Sequence, residues 1–423
     1  MPEVISVLLG ASLILFFGFF AEFLFKKTRI PDILLLILLG FALGPFGLGY
    51  VTPEQIAGYA PVFTTFALLF LLYDGAFNID LASFAKGLAA TMGITWFNFL
   101  VSSTVIAFIL YLFNFEPLMS ILVGFTLGGI SSAFVIPLLK QMNVQGETYS
   151  ILALESAVTD VFCIVFALTV MEIINLNTFD FQLMVSKIAS LFAVAGFIGI
   201  IAGIIWIVLA IHVFREHKSY MITIAYLILI YVIAEFLNGN GAIAALFLGL
   251  VLRNSKQLTL IFGGIVDKRA IKTIEKNSKK SKKMIKRVQE LKHEYGVNVT
   301  TPSEQFFYEQ ISFFLKTFFF VYIGILLDIS NTRAMLIASI ISIAILLARL
   351  LSYAITKHFK DYDRRLISSI FARGLAPAAI AQILVLNNLP HAEFITNIIY
   401  GVISFTIVLS SLRVFMLKNP ETA

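Results

Sequence analysis

Residues 147–174 read ETYSILALESAVTDVFCIVFALTVMEII. Around the hexapeptide Glu155-Ser156-Ala157-Val158-Thr159-Asp160 the run is apolar and long enough to cross a bilayer, which needs roughly 20 such residues. The two carboxylates in its middle are the informative departure, because an ionisable group inside a span is costly and is a functional suspect by default. On a helix Glu155 and Thr159 share one face, and Ser156 and Asp160 share another. A hydroxyl above a carboxylate suits a hard, oxygen-seeking monovalent cation. Glu155 on the adjacent face needs a partner. The bland alternative is a pair of carboxylates neutralised by structural ion pairs.

Working outward, the rest of the chain has the same character. Of 423 residues, 59% are hydrophobic and only 13% charged, with a mean hydropathy of +0.93. Soluble domains run at about 45–50% apolar and about 25% charged, so a water-soluble fold is excluded. Twelve further apolar stretches read as spans, near 4–25, 31–48, 59–78, 87–113, 117–140, 183–214, 219–237, 240–253, 305–327, 334–356, 365–387 and 392–416, making about thirteen in all. The one near 240–253 is short. It follows the turn signal Asn238-Gly239-Asn240-Gly241 and is open to pairing with its predecessor as a re-entrant hairpin. Basic residues gather in alternate connections: Lys26, Lys27 and Arg29; Lys86; Lys140; Arg215 and Lys218; Arg253 and Lys256; Lys357, Lys360, Arg364 and Arg365. Positive charge marks the cytoplasmic side. The N-terminus is therefore expected outside and the C-terminus inside, with an odd number of spans. The first apolar run lacks a charged leader and a small-residue cleavage site, and is read as a retained span.

The expected organisation is one transmembrane domain over residues 1–423, interrupted by a lysine-rich cytoplasmic loop at 255–303. A solvated helix near an anionic leaflet is the plain reading of that loop. Nucleic acid is not an expected partner, since no aromatic-interleaved soluble domain accompanies the charge. The single Cys163 excludes an intrachain disulfide framework, and the five histidines all fall near span ends or in loops. No phosphate-binding lysine loop, paired-histidine metal motif or nucleophile elbow is present, so an enzyme is not expected.

Two spans carry breakers at their middles. One reads Gly128-Gly129-Ile130-Ser131-Ser132-Ala133-Phe134-Val135-Ile136-Pro137, the other Arg373-Gly374-Leu375-Ala376-Pro377. Interrupted spans at corresponding places in two halves point to an inverted-repeat transporter with its site at the midplane. The halves would be spans four to six and eleven to thirteen, forming a core bundle of 87–174 and 334–416. Ordinary proline kinks are the competing reading. The remaining mid-span charges are Asp74, Lys316 and Arg349. Asp74 also reads as a cap at the end of its span, and Lys316 as a second counter-ion or a snorkelling side chain.

At these residues the sequence resembles the monovalent cation/proton antiporter superfamily, the NhaP-like sodium/proton branch most closely. The likeness extends to Pro31-Asp32-Ile33 through Gly44-Pro45, to Ala234-Glu235-Phe236-Leu237-Asn238-Gly239, and to Phe318-Phe319-Phe320-Val321-Tyr322-Ile323-Gly324. The resemblance implies an all-α membrane fold with two broken crossing helices, and alternating access. Asp160 would carry Na⁺ (or Li⁺) and H⁺ in turn. Ser156 and the third-span acid Asp74 would complete the Na⁺ site, with a main-chain carbonyl at Ile130 or Ser131. Arg349 would pair with Glu155, and Arg373 matches the arginine before the twelfth-span break. The family's sixth-span signature has Asn before the carrier aspartate in electroneutral members and a second Asp in electrogenic ones. Thr159 stands there instead, and because threonine cannot ionise, one-for-one exchange is expected. The resemblance further implies no cofactor beyond the transported ions, a homodimer in the lipid bilayer, and the plasma membrane of a prokaryote. A Kef-like K⁺/H⁺ exchanger is the nearest alternative, and an ion channel or membrane sensor on the same fold is the alternative of another class.

Overall fold

The structure, a computed structural model, describes residues 2–28, 30–58, 60–77, 81–144, 146–176, 181–212, 220–256, 258, 302–357 and 359–417. The lysine-rich stretch lies almost wholly outside the described residues. Among those described, every regular element is a helix. In chain order they are α1 (Pro2–Thr28), α2 (Asp32–Leu43), α3 (Pro53–Ala57), α4 (Ala60–Phe77), α5 (Leu81–Leu112), α6 (Pro117–Thr126), α7 (Ser132–Gln141) and α8 (Gly146–Leu176). After these come α9 (Phe181–His212), α10 (Tyr220–Phe236), α11 (Gly241–Arg253), α12 (Pro302–Leu326), α13 (Thr332–Ile355), α14 (Asp361–Ser369), α15 (Leu375–Leu386) and α16 (Ala392–Phe415). Seven are long and apolar enough to cross a membrane by themselves, and five shorter apolar helices accompany them. Their exposed faces suit lipid: on α1, Phe16 and Phe19 are 76% and 65% exposed.

Chain chemistry sets the helix ends. The span expected at 31–48 is helical only over Asp32–Leu43, because Gly44-Pro45 cannot continue it. Pro117 occupies the first position of α6, where its missing N–H leaves no bond unmade. The tetrapeptide Asn238-Gly239-Asn240-Gly241 turns the chain between α10 and α11. Asn238 takes a left-handed φ of 54°, and the Asn240 side chain accepts from Ile243 N at 3.0 Å.

The described residues fall into two compact units. The first comprises Met1–Leu71, Leu88–Ile188 and Gln310–Ala423; the second comprises Leu72–Gly87 and Ala189–Glu309. In the second unit α10 and α11 pack together, Trp206 stacks on Tyr226 with centroids 4.5 Å apart, and Tyr226 Oη donates to Ala202 O at 2.9 Å.

The first unit holds both interrupted helix pairs. Helix α8 packs against α6, α7 and α15, and α16 packs against α13 and α15. One side of α8 is fixed by rings: Phe99 lies 5.4 Å from Phe162 and 5.8 Å from Phe166, and Phe125 lies 5.3 Å from Phe166. Helices α2 and α12 run parallel and nearly touch at their backbones. A Cβ on Gly324 would lie 2.2 Å from Ile37 O, and one on Gly40 would lie 2.0 Å from Val321 O. Only glycine permits that approach, as in other small-residue crossings of membrane helices.

Candidate ion-binding site

The expected break in the 117–140 stretch is the gap between α6 and α7, and that in 365–387 is the gap between α14 and α15. The two prolines act differently. Pro377 is the third residue of α15, where a helix N–H has no intrahelical partner in any case. Pro137 lies inside α7 and leaves the carbonyl four residues before it without its helical donor.

Unwound backbone in an apolar layer must find partners, since each unmet group costs several kcal/mol. In the first gap the amides are met in sequence. Gly129 N donates to Cys163 Sγ at 3.2 Å, Ile130 N to Thr159 Oγ1 at 3.1 Å, and Ser131 N to Ala372 O at 2.9 Å. Ser132 N donates to Asp160 Oδ2 at 3.2 Å. Two of its carbonyls, Gly128 O and Gly129 O, accept from the Arg373 guanidinium. In the second gap α16 supplies the partners. Ser410 Oγ accepts from Phe371 N at 3.3 Å and donates to Ser369 O at 2.9 Å, while Thr406 Oγ1 accepts from Arg373 N at 3.1 Å. The Ser131–Ala372 bond and the Arg373 contacts tie one gap to the other. A Cβ on Gly374 would fall 1.9 Å from Ser131 Oγ, so only glycine lets the two gaps cross here.

Asp160 sits where α7 begins. Its Oδ2 accepts from both the backbone amide and the hydroxyl of Ser132, the latter at 2.5 Å. A helix N-terminus with free amides and a positive dipole end favours a negative charge at that spot. Asp160 is half-buried, and its Oδ1 accepts no hydrogen bond among the described residues. Glu155, 1% exposed, is already committed. Its Oε2 accepts from Arg349 Nη2 at 2.9 Å, and its Oε1 accepts from Arg349 Nη1 and from Asn98 Nδ2, the latter at 2.9 Å. Arg349 also donates through Nε to Ile367 O at 3.0 Å. That two-pronged geometry is what arginine offers a carboxylate.

The structure thus brings together Asp160, Thr159, Ile130, Ser131 and Arg373, and joins Glu155 to Arg349. Ser156 is fully buried and donates to Ala153 O in its own helix at 2.9 Å, so its proton is committed to the backbone while its oxygen can still accept. Asp74 lies within α4, and its side chain is outside the described residues. Lys316 neither snorkels nor joins the crossing: its Nζ lies 2.5 Å from Asp32 Oδ2, with both side chains largely buried. The sequence reading left four contributors unassigned: Ser132, Asn98, Asp32 and Cys163. Asn98 had a usable signal, being a lone amide in an apolar stretch, and so had Asp32, an acid at the start of a span. Ser132 had none beyond its place in the break. A cavity of about 440 Å³ bordered by Phe115, Glu116, Arg333, His391 and Phe394 contains none of these residues.

Comparison with known proteins bears on this geometry. A sequence model of the family described as "Sodium/hydrogen exchanger, transmembrane" matches residues 11–261 and 287–418. Relatives include the K(+)/H(+) antiporter NhaP2 of Shewanella sp. (strain ANA-3), 24% identical over 235 residues. The protein of the same name from Shewanella oneidensis is 23% identical over 233 residues. Each alignment covers 54% of this chain and only 40% of the relative. Among solved structures, the sodium proton antiporter MjNhaP1 from Methanocaldococcus jannaschii superposes with a TM-score of 0.73 at 19% identity, covering 97% of this chain and all of that one. The fold is therefore that of MjNhaP1, and with most of its length matched by the family model, the chain belongs to the transmembrane sodium/hydrogen exchanger family.

Proposed function

We propose that the chain exchanges Na⁺ (or Li⁺) for H⁺ across a prokaryotic plasma membrane by alternating access, one ion for one, with Asp160 carrying each in turn. The observation that carries this reading is the contrast between the two acids of α8. Glu155 is neutralised by Arg349, whereas Asp160 keeps a carboxylate oxygen uncommitted beside an unwound helix. A cation and a proton competing for one carboxylate are coupled by that competition. A charge crossing the low-dielectric layer unaccompanied costs several kcal/mol, so the empty, ionised site rarely crosses. Ser156, Asp74 and a carbonyl at Ile130 or Ser131 are the proposed further ligands. Thr159, which cannot ionise, supports electroneutral stoichiometry. The bundle of 87–174 and 334–416 would move against the remaining helices, which would form the interface of a homodimer. The transported ions are the only small molecules the reading requires.

The Shewanella relatives, named K(+)/H(+) antiporters, favour a second reading, K⁺ in place of Na⁺. One assay separates them: dissipation of a pH gradient in reconstituted vesicles, wild type beside Asp160→Asn, with Na⁺, Li⁺ and K⁺ added in turn. Dissipation triggered by a cation in the wild type and absent in the variant is the expected result, and its rank order assigns the ion. No cation-dependent proton movement in the wild type, at any pH from acid to alkaline, would turn the reading toward a channel or a sensor.

A further inference from the structure

Helix α12 is held at two levels by polar groups that the site does not use. Near its middle, Lys316 pairs with Asp32 at the start of α2. Eight residues on, Gly324 packs against Gly40 of the same helix, so α12 and α2 are joined by charge and by backbone contact along the same stretch. The C-terminal end of α12 is joined elsewhere. Tyr322 Oη donates to Gln382 Oε1 of α15 at 3.0 Å, and Gln382 Nε2 donates to Tyr400 Oη of α16. Just past the helix, both backbone groups of Asp328 are taken by one side chain of α16. Asp328 N donates to Asn397 Oδ1 at 3.0 Å, and Asn397 Nδ2 donates to Asp328 O at 2.8 Å. Gln382 and Asn397 are 6% and 7% exposed, and Tyr400 is fully buried.

These two sets of contacts differ in kind. The α2–α12 contact is an ion pair plus an interlocked glycine crossing, which cannot part without leaving buried charge behind. The contact with α15 and α16 is made of neutral hydrogen bonds, each worth only about a few-fold in an equilibrium. Under the exchange reading, α15 and α16 belong to the bundle that moves, and α2 and α12 to the part that stays. The weak set therefore spans the moving boundary.

We propose that Tyr322, Gln382, Asn397 and the Asp328 backbone form a releasable gate. It closes the side on which residues 327–331 and 387–391 lie (the outer face in the charge-based topology), and it opens once in each cycle. Neutral groups suit the task, because parting them exposes no ion to the membrane, and water entering the opened cleft can take over their bonds.

The inference rests on the exchange reading, so its test starts from wild-type vesicles in which cation-triggered proton movement is established. Loss of that signal in the wild type would sink the exchange reading itself. Cysteines are placed at 322 and 382 together, with each single variant as control. A homobifunctional maleimide with a reducible linker then joins α12 to α15. The gate predicts exchange arrested by the linker and restored on reduction, in the double variant only. Exchange continuing in the linked protein overturns the gate. The second measurement needs no cysteine and keeps the ring: in Tyr322→Phe the closed state loses one hydrogen bond. The cation KM on the gated side should fall by about fivefold or less, and KM on the opposite side should rise correspondingly. Equal movement of both KM values, or of neither, overturns the gate while leaving the exchange reading standing.

Discussion

Arg349→Met is the most demanding test of how the site is held. The substitution keeps an unbranched side chain of similar reach and removes the guanidinium. Glu155 then stays 1% exposed with the Asn98 amide as its remaining donor, and Ile367 O loses the Arg349 Nε bond. Stripping one partner from a buried ion pair costs about 3–5 kcal/mol, and the orphaned carbonyl adds about 1–3 kcal/mol. The single variant should therefore lose at least about 4 kcal/mol. Glu155→Gln should lose about 3 kcal/mol or more, because a buried guanidinium is left without its counter-charge. The double variant Glu155→Gln/Arg349→Met removes both charges and leaves an amide beside an amide. It should be more stable than Arg349→Met alone, and short of the sum of the two singles by about 3 kcal/mol. Unfolding titrated with dodecyl sulfate in mixed micelles would report this, followed by the fluorescence of the protein's two tryptophans, of which Trp96 packs at a tilt against Phe162. Additive losses would refute the coupling. The same double variant separates holding from carrying. With Asp160 untouched, cation-triggered proton movement should persist in it. A double variant of recovered stability that no longer exchanges would make Glu155 a carrier and overturn its assignment as scaffold.

Three further outcomes are expected. Gly374→Ala would drive a Cβ into Ser131 and should cost about 1–3 kcal/mol; the same dodecyl sulfate titration should show recovery when Ser131→Gly is added, and no loss in the single variant would mean that the crossing relaxes freely. Ser132→Ala removes the hydroxyl donor to Asp160. A hydrogen bond to a charged group is worth about 1.5–3 kcal/mol, so the proton should compete better and the cation KM at fixed pH should rise about tenfold; an unchanged KM in the vesicle assay would contradict the Asp160 placement. Lys316→Met leaves Asp32 buried and unpaired at a cost of about 3–5 kcal/mol, most of which Asp32→Asn in the same chain should recover, with the two unfolding midpoints deciding.

What the sequence revealed and what it hid divide along a physical line. Helices are written in local composition, so the apolar stretches, the turn at Asn238-Gly239 and the weak points at Gly128-Gly129 and Arg373-Gly374 all showed in the letters, while the early end of the second helix before Gly44-Pro45 did not. The partner of Glu155 was found through family resemblance, since nothing local to residue 155 points to residue 349. Partners that follow no motif stayed hidden. Lys316 could be seen to need an acid, but Asp32 lies 284 positions away and is reached only because α2 and α12 run parallel through a glycine contact. Ser156 shows a local competition that spacing alone leaves open. Its spacing from Asp160 puts both on one helix face, yet a serine in a helix can turn its hydroxyl to a carbonyl of the preceding turn, and Ser156 does so at Ala153.

The same accounting explains why the site needs two broken helices. A continuous helix consumes its own amides and carbonyls, so a carboxylate in its middle can be met only by side chains. Interrupting α6–α7 frees the Ser132 amide for Asp160, and interrupting α14–α15 frees the Ala372 carbonyl for Ser131. Each gap would be ruinous in lipid by itself, and each is made tolerable by the other together with α8 and α16. Arg373 shows the economy of the arrangement. Fully buried, it spends its charge on two carbonyls of the opposite gap, so it meets the negative end of α6 with no acid partner among the described residues. Asp160 takes the positive end of α7 in the same way. Among the described residues, the crossing then pairs one fixed cation with one carboxylate, and the carboxylate has an oxygen that accepts no hydrogen bond. Under the exchange we propose, that asymmetry singles out Asp160 as the place where a cation or a proton would be exchanged without dismantling the fold around it.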